Sequence, residues 1–140
     1  MPMGPAPLGF AYFVGIKFAG YTAAAYALKR AYSKPGAGIW KVGAARTAIG
    51  IGAGLVYGGL WFAALTKLVD YRYSEYVYFA GLFPVRILEW CLVLHLFFDR
   101  ALTDRQKAFR VSAGATIWSY CLDAIGIGAA LVIPGGIWVC

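Results

Sequence analysis

Five ionisable residues lie inside long apolar segments of the chain: Lys17, Arg46, Arg86, Glu89 and Asp123. A charge at the centre of a membrane helix costs a few kcal/mol, so each is expected to have a partner or a function. Two cations could balance the two carboxylates, and Arg46 would add a further cation. Because a surplus cation attracts phosphate or carboxylate, we predict a charge cluster that binds an anionic group.

These ionisable residues are predicted to lie at similar depths in the membrane. Counting 1.5 Å per residue from the predicted cytoplasmic helix ends, Arg86 and Asp123 lie about 18 Å deep, Lys17 about 17 Å and Glu89 about 14 Å. Arg86 and Glu89 are three residues apart and share a helix face. Such a cluster could be ion pairs that fix helix register, or a binding or translocation site. For Arg46 there is a further interpretation, in which its long side chain snorkels to the cytoplasmic headgroups and does not join the cluster.

The elements that must position these residues are four apolar segments, at about 8–28, 42–65, 76–98 and 111–133. Each is long enough for a helix to cross a hydrocarbon core of about 30 Å. Of the 140 residues, 61% are hydrophobic and 14% charged, which is more apolar surface than so small a soluble domain buries. The sequence therefore predicts a single all-α domain over 1–140, a bundle of four transmembrane helices with short loops.

Two stripes of small or polar residues indicate how the helices pack. Gly50, Gly54 and Gly58 follow Arg46 at intervals of four and predict a face that another helix can approach closely. In the fourth segment a polar stripe contains Ser112, Thr116, Ser119 and Asp123. A polar face of this kind belongs against protein or water, so Asp123 is expected to point into the bundle.

The basic residues predict a multi-pass topology. Segments 29–41 and 99–110 each carry four Lys or Arg residues, whereas the second loop carries two. The positive-inside rule then places 29–41 and 99–110 in the cytoplasm and both termini outside. Within the third loop, Thr103 and Gln106 have the spacing of a capping box for the fourth helix.

The sequence lacks the features that are typical of several other functions. The net charge of +7 comes from short loops beside apolar segments, which is typical of headgroup contacts and not of nucleic-acid binding. Three cysteines and one histidine have no metal-like spacing, so no metal or other cofactor is predicted. HExxH, GxSxG and P-loop motifs are absent, so no catalytic residues are predicted, and an enzymatic role is the less favoured interpretation.

The charge cluster favours a protein that binds or translocates an anionic solute or lipid as an oligomer. Its expected partners are membrane lipids and either copies of itself or other membrane subunits. One alternative is a non-catalytic subunit of a larger membrane complex. Another is an intramembrane lipid-modifying enzyme, with Glu89 or Asp123 as acid or base and Arg46 or Arg86 holding a phosphate.

Overall fold

The computed structural model describes residues 7–64 and 73–130, and in these ranges the chain forms four α-helices and no β-strand. They are α1 (Pro7–Ala31), α2 (Ile39–Ala64), α3 (Ser74–Phe97) and α4 (Arg105–Ala130). The predicted all-helical fold of four helices is therefore confirmed. The last residue of the second predicted span (65), most of the loop after it (66–72) and the end of the fourth predicted span (131–133) lie outside the described residues.

A Schellman motif ends α1. Ser33 has a left-handed backbone with a φ of 49°. Its N–H donates to the Arg30 carbonyl, and the Lys34 N–H donates to the Lys29 carbonyl, both at 3.2 Å. These bonds satisfy carbonyls that the last turn of a helix leaves without partners, so the chain can reverse towards α2 within a short loop.

The loop between α3 and α4 is organised by two aspartates. Asp99 accepts hydrogen bonds from the Thr103 N–H at 2.8 Å and from the Thr103 hydroxyl at 3.1 Å. Asp104 is the N-cap of α4, because its carboxylate accepts the Lys107 N–H at 2.9 Å. The predicted capping box from Thr103 to Gln106 is thus wrong: the Thr103 hydroxyl is bonded to Asp99, and the following aspartate caps the helix.

The four helices pack as a bundle in which each contacts the next helix in the chain and α1 contacts α4. At one end, the Lys107 ammonium on α4 donates to the Ala31 carbonyl of α1 at 3.0 Å. At the other end, the Phe13 ring of α1 lies beside Gly126 of α4. These two contacts show that α1 and α4 run antiparallel and close the bundle.

The interior of the bundle is divided between apolar and polar residues. The apolar core consists of Tyr21, Ala25, Leu28, Val42, Trp90, Val93, Leu94, Phe98, Ala108 and Leu122. The buried polar and charged residues are Lys17, Thr22, Arg46, Thr47, Arg86, Glu89, Ser112, Thr116, Ser119 and Asp123. So many buried polar side chains require partners inside the bundle, because an unpaired polar group away from water is costly.

By its length and its mean hydropathy of 1.7, one segment of the described chain, Tyr76–Phe97, could cross a membrane as a helix. It lies within α3. This one helix fits the prediction that the protein is located in a membrane. Hydropathy does not establish that all four helices cross the bilayer.

Candidate functional site

The structure brings together all five residues that the sequence analysis assigned to a charge cluster, and every helix contributes at least one. Lys17 comes from α1, Arg46 from α2, Arg86 and Glu89 from α3, and Asp123 from α4. Each of these residues is at most 8% exposed. Their convergence links all four helices, while their role in binding stays a prediction.

Asp123 lies between two cations from different helices. One carboxylate oxygen, Oδ1, pairs with Lys17 Nζ, and the other, Oδ2, pairs with Arg86 Nη2. The Lys17 ammonium also donates to the Tyr21 hydroxyl at 3.3 Å, one helical turn along α1. A single carboxylate thus joins α1, α3 and α4, and it has two cations beside it.

Arg46 and Glu89 form a second buried ion pair, between α2 and α3. Arg46 Nη2 lies 2.5 Å from Glu89 Oε2. The guanidinium carbon of Arg46 is 4.7 Å from the centre of the Tyr21 ring and 4.8 Å from the centre of the Trp90 ring. Arg46 therefore does not snorkel to the surface, because the carboxylate and two aromatic rings hold its side chain inside the bundle.

Aromatic rings cover the charges and are themselves fixed by hydrogen bonds. Tyr21 and Trp90 meet edge to face, with 5.6 Å between ring centres. The Trp90 indole N–H donates to the Ser119 hydroxyl at 3.0 Å, and that hydroxyl donates to the Ala115 carbonyl at 3.0 Å. On the other side of the cluster, the Tyr120 ring lies 4.8 Å from the guanidinium carbon of Arg86.

These three aromatic residues were missed by the sequence analysis, although a signal for them exists. Tyr21 follows Lys17 by four residues, Trp90 follows Arg86 by four, and Tyr120 precedes Asp123 by three. Residues three or four apart share one helix face. An aromatic residue one turn from a buried charge therefore indicates a ring that packs over the cluster.

Two tyrosine hydroxyls connect the first half of α3 to its neighbours. Tyr57 on α2 donates to the Tyr78 carbonyl at 2.9 Å, and Tyr120 on α4 donates to the Phe79 carbonyl at 3.0 Å. These carbonyls lie six and five residues before Pro84, which is inside α3 and supplies no backbone N–H. The hydroxyls connect the turn of α3 that precedes the proline to α2 and α4, and Arg86 lies two residues after the proline.

The predicted polar face of α4 points into the bundle. Ser112, Thr116 and Ser119 are fully buried. The Ser112 hydroxyl lies 3.3 Å from the Cys91 sulfur on α3, and Ser119 supports Trp90 as described above. The stripe therefore provides hydrogen-bonding partners along the α3 side of the bundle and ends at Asp123.

The predicted glycine stripe of α2 has a mixed environment. A Cβ on Gly50 would lie 2.9 Å from Arg46 Nη1, so this glycine gives room to the guanidinium of its own helix. A Cβ on Gly58 would meet no atom within 4 Å. Gly43, outside this stripe, does lie against α1, since a Cβ there would be 3.2 Å from the Thr22 backbone. Packing of Gly50, Gly54 and Gly58 against another chain stays a prediction.

A cavity of about 10 Å³ lies between α1 and α2 beside the cluster. Its walls are formed by Phe13, Val14, Lys17, Tyr21, Thr47, Gly50 and Ile51. Such a volume holds about one water-sized particle.

The charges of the cluster do not balance. Among the described residues, three buried cations face two buried carboxylates. Arg46 Nε and Nη1 have no hydrogen-bond acceptor in this part of the chain. A buried guanidinium with free donors is costly, because the desolvation of each donor is uncompensated. The arrangement is therefore suited to holding one further negative charge.

The remaining features give no sign of a metal centre. Residues 7–64 and 73–130 contain no group of three or more His, Cys, Asp or Glu side chains that could hold a metal ion, and His95 is exposed on α3.

No protein family, curated protein or solved structure matches this chain. In the described ranges, fold and site together define a four-helix bundle with a buried network of three cations and two carboxylates.

Proposed function

We propose that this chain is a multi-pass membrane protein whose four helices cross the bilayer and whose charge cluster binds an anionic solute or lipid headgroup. The observation that carries the proposal is that, among the described residues, three buried cations meet two buried carboxylates, and each of these side chains is at most 8% exposed. Binding of an anion would neutralise that surplus in a place that water does not reach.

The distribution of polar and apolar side chains supports a bilayer around the bundle. Large apolar residues are strongly exposed on α2 and α3, with Leu55 at 70%, Phe62 at 77% and Leu88 at 69%. In a soluble protein, charged residues are outside and most large apolar residues are inside. The reverse arrangement is what lipid favours, because acyl chains solvate apolar side chains and the polar groups must pair internally.

The basic residues support the predicted orientation. Those of the described chain that lie outside the cluster are at the end of the bundle formed by the α1–α2 and α3–α4 loops: Lys29, Arg30, Lys34, Lys41, Arg100, Arg105, Lys107 and Arg110. The proposed topology therefore has both loops in the cytoplasm. In a cysteine-free background, Ser33→Cys and Ala101→Cys should both be protected from an impermeant thiol reagent added outside. Labelling of either one from outside intact cells would contradict the topology.

Binding and translocation are tested with the reconstituted protein. The wild-type chain in proteoliposomes is assayed for binding and flux of chloride, phosphate and acetate, and for enrichment of phosphatidylglycerol. Arg86→Ala should abolish the activity, because Arg86 lies in the cluster, and Arg110→Ala should leave it intact, because Arg110 is exposed on a helix near the loop. If Arg86→Ala behaves as Arg110→Ala does, or if the wild-type chain binds and moves none of these anions, the proposal is wrong.

A role as a non-catalytic subunit is the second candidate, and one surface feature favours it. An apolar groove of about 400 Å³ runs between α1 and α4, and small residues form much of its wall, including Ala24, Ala27 and Gly114. Small residues permit close approach of another transmembrane helix. Purification from native membranes would distinguish the two: stoichiometric larger chains favour the subunit role, and a uniform oligomer of this chain alone counts against it.

A further inference from the structure

We infer that the chain has a second binding site, at the junction of α1 and α2, for a membrane lipid whose headgroup is a phosphate monoester. The polar side chains of this site are Lys29, Arg30 and Ser33. The inference rests on the part of the proposed function that places the helices in a bilayer. It does not depend on anion binding by the charge cluster, because Lys29 lies twelve residues, or about 18 Å, along α1 from Lys17.

A cavity of about 470 Å³ lies where α1 ends and α2 begins. Its wall is formed by Tyr26, Lys29, Arg30, Ser33, Pro35 and Ile39. Two of these residues are cations, and no carboxylate of the described residues lines the cavity. Neither Lys29 nor Arg30 forms an ion pair with a carboxylate within residues 7–64 and 73–130. A concave surface with two cations and no counter-charge attracts an anion.

The positions of these polar residues are fixed by the end of α1. The Schellman motif uses the carbonyls of Lys29 and Arg30 and the left-handed backbone of Ser33, so it orders the backbone and does not consume the side chains. The guanidinium carbon of Arg30 lies 4.8 Å from the centre of the Tyr26 ring, and this contact restricts the guanidinium. A cation that is already held in place loses less conformational entropy when it binds a ligand.

The polar side chains of the wall match the chemistry of a phosphate monoester. Such a group has three acceptor oxygens and a charge of about −1.5 to −2 at neutral pH. The Arg30 guanidinium can donate two parallel hydrogen bonds to it, the Lys29 ammonium supplies the second positive charge, and the Ser33 hydroxyl is a further donor. A phosphate diester has less charge and fewer free oxygens, so it should bind more weakly.

The rest of the wall favours a lipid over a dissolved phosphate. Tyr26 is exposed and lies four residues before Arg30, which is one helical turn further into the proposed bilayer. Ile39 is also in the wall, and the exposed Trp40 follows it, in the way that aromatic rings lie at the headgroup level. A lipid bound at the cations would have its glycerol and acyl chains beside these apolar groups. Because the lipid stays in the membrane, its effective concentration at the site exceeds that of a dissolved phosphate.

Two double variants give a matched test of the position. Lys29→Gln with Arg30→Gln, the site variant, removes both cations from the cavity wall. Lys34→Gln with Arg105→Gln, the control variant, removes two exposed cations at the same end of the bundle that do not line the cavity. Both variants lower the net charge by the same amount, so the general attraction to anionic lipids falls equally and only the local site differs.

The first measurement is native mass spectrometry of the purified chain in neutral micelles that contain equal amounts of phosphatidic acid, a monoester, and phosphatidylglycerol, a diester. We expect the wild-type chain to retain phosphatidic acid about fivefold more tightly than phosphatidylglycerol. The site variant should retain phosphatidic acid about tenfold more weakly than the wild-type chain, and the control variant should differ by less than about twofold. Equal retention by the two variants would overturn the position, and equal retention of the two lipids would overturn the ligand class.

The second measurement keeps both cations, so it decides the matter if the site variant does not fold. Ser33→Cys and Ala101→Cys, each in a cysteine-free background, are labelled with an uncharged maleimide in nanodiscs with and without phosphatidic acid. The lipid should slow the labelling of Ser33→Cys several-fold and leave Ala101→Cys, which is exposed on the other loop, unchanged. Equal slowing at both positions would overturn the inference, and so would equal protection of Ser33→Cys by dissolved glycerol 3-phosphate at the same concentration.

The outcomes for the two sites are separable. A wild-type chain that retains no phosphatidic acid would overturn this inference, while binding of chloride, phosphate or acetate that depends on Arg86 would still support the proposed function. A wild-type chain that retains phosphatidic acid but binds and moves none of those anions would refute the proposed function and leave the lipid site standing.

Discussion

Arg46 Nη2 lies 2.5 Å from Glu89 Oε2, although Arg46 is near the start of α2. This pair connects α2 to α3. Asp123 pairs with Lys17 and Arg86, and it thereby connects α4 to α1 and α3. The Tyr21 and Trp90 rings cover the guanidinium and exclude water from it. A charge that could have reached the headgroups is thus held in the interior by partners from two other helices.

Arg46→Lys should destabilise the protein by about 2 kcal/mol. An ammonium group can approach Glu89, but it is not a planar cation that packs between two rings, and more of its hydration must be removed. The measurement is the free energy of unfolding in mixed micelles. Arg110→Lys, at an exposed position, is the control, and equal stability of the two variants would argue against the cation–π contacts.

Asp123→Asn should cost about 3–5 kcal/mol, because it leaves Lys17 and Arg86 buried without their shared carboxylate. Adding Arg86→Gln should recover part of this loss, since one of the two cations that contacted the lost carboxylate is then removed. Unfolding free energies of both single variants and of the double variant form the cycle. Additive losses would mean that Asp123 and Arg86 are not energetically coupled.

Tyr120→Phe and Tyr57→Phe should each cost about 1 kcal/mol, because each removes one hydrogen bond to a carbonyl of α3. The Tyr120 variant keeps the ring beside Arg86 and so isolates the effect of the hydroxyl. Tyr26→Phe is the control, since the Tyr26 side chain is exposed and its ring contact with Arg30 is retained. If all three variants melt alike, the hydroxyls do not stabilise α3.

The parts of this structure that follow from sequence periodicity and length could be predicted. Four helices were predicted from four long apolar segments, and the described residues form four helices. The inward position of Asp123 followed from its polar stripe on α4. In each case a property of one helix, read along its own sequence, determines the outcome, and no knowledge of its neighbours is needed.

The details that depend on contacts between helices could not be predicted. Arg86 and Glu89 were expected to be able to pair within α3, yet their ion pairs reach Asp123 on α4 and Arg46 on α2. The same holds for Trp90, whose hydrogen-bond partner is on another helix. Rotation and spacing of neighbouring helices decide these pairings, and neither quantity is encoded in the spacing of residues along one segment.

Asp99 should make the α3–α4 loop sensitive to acid. Loss of solvent around the carboxylate raises its pKa, but hydrogen bonds from Thr103 and Ala101 outweigh this and hold the pKa below its ordinary value. Because the folded-state pKa is lowered, the stabilisation is complete above the ordinary value of about 3.9 and is lost as the pH falls through the lower folded-state value. The melting temperature of Asp99→Ala should lie below that of the wild-type chain at neutral pH. The difference should shrink towards pH 3, and a constant difference would argue against this role of the carboxylate.

The surplus of positive charge is tested most directly by changing it in both directions. Glu89→Gln raises the surplus from one charge to two, and Arg46→Met lowers it to none among the described residues. Anion binding and the anion-dependent rise in melting temperature are measured for the wild-type chain and for both variants in nanodiscs. We predict that Glu89→Gln responds more strongly to anions than the wild-type chain and that Arg46→Met does not respond. The same response in all three proteins would contradict a cluster whose unbalanced charge recruits an anion.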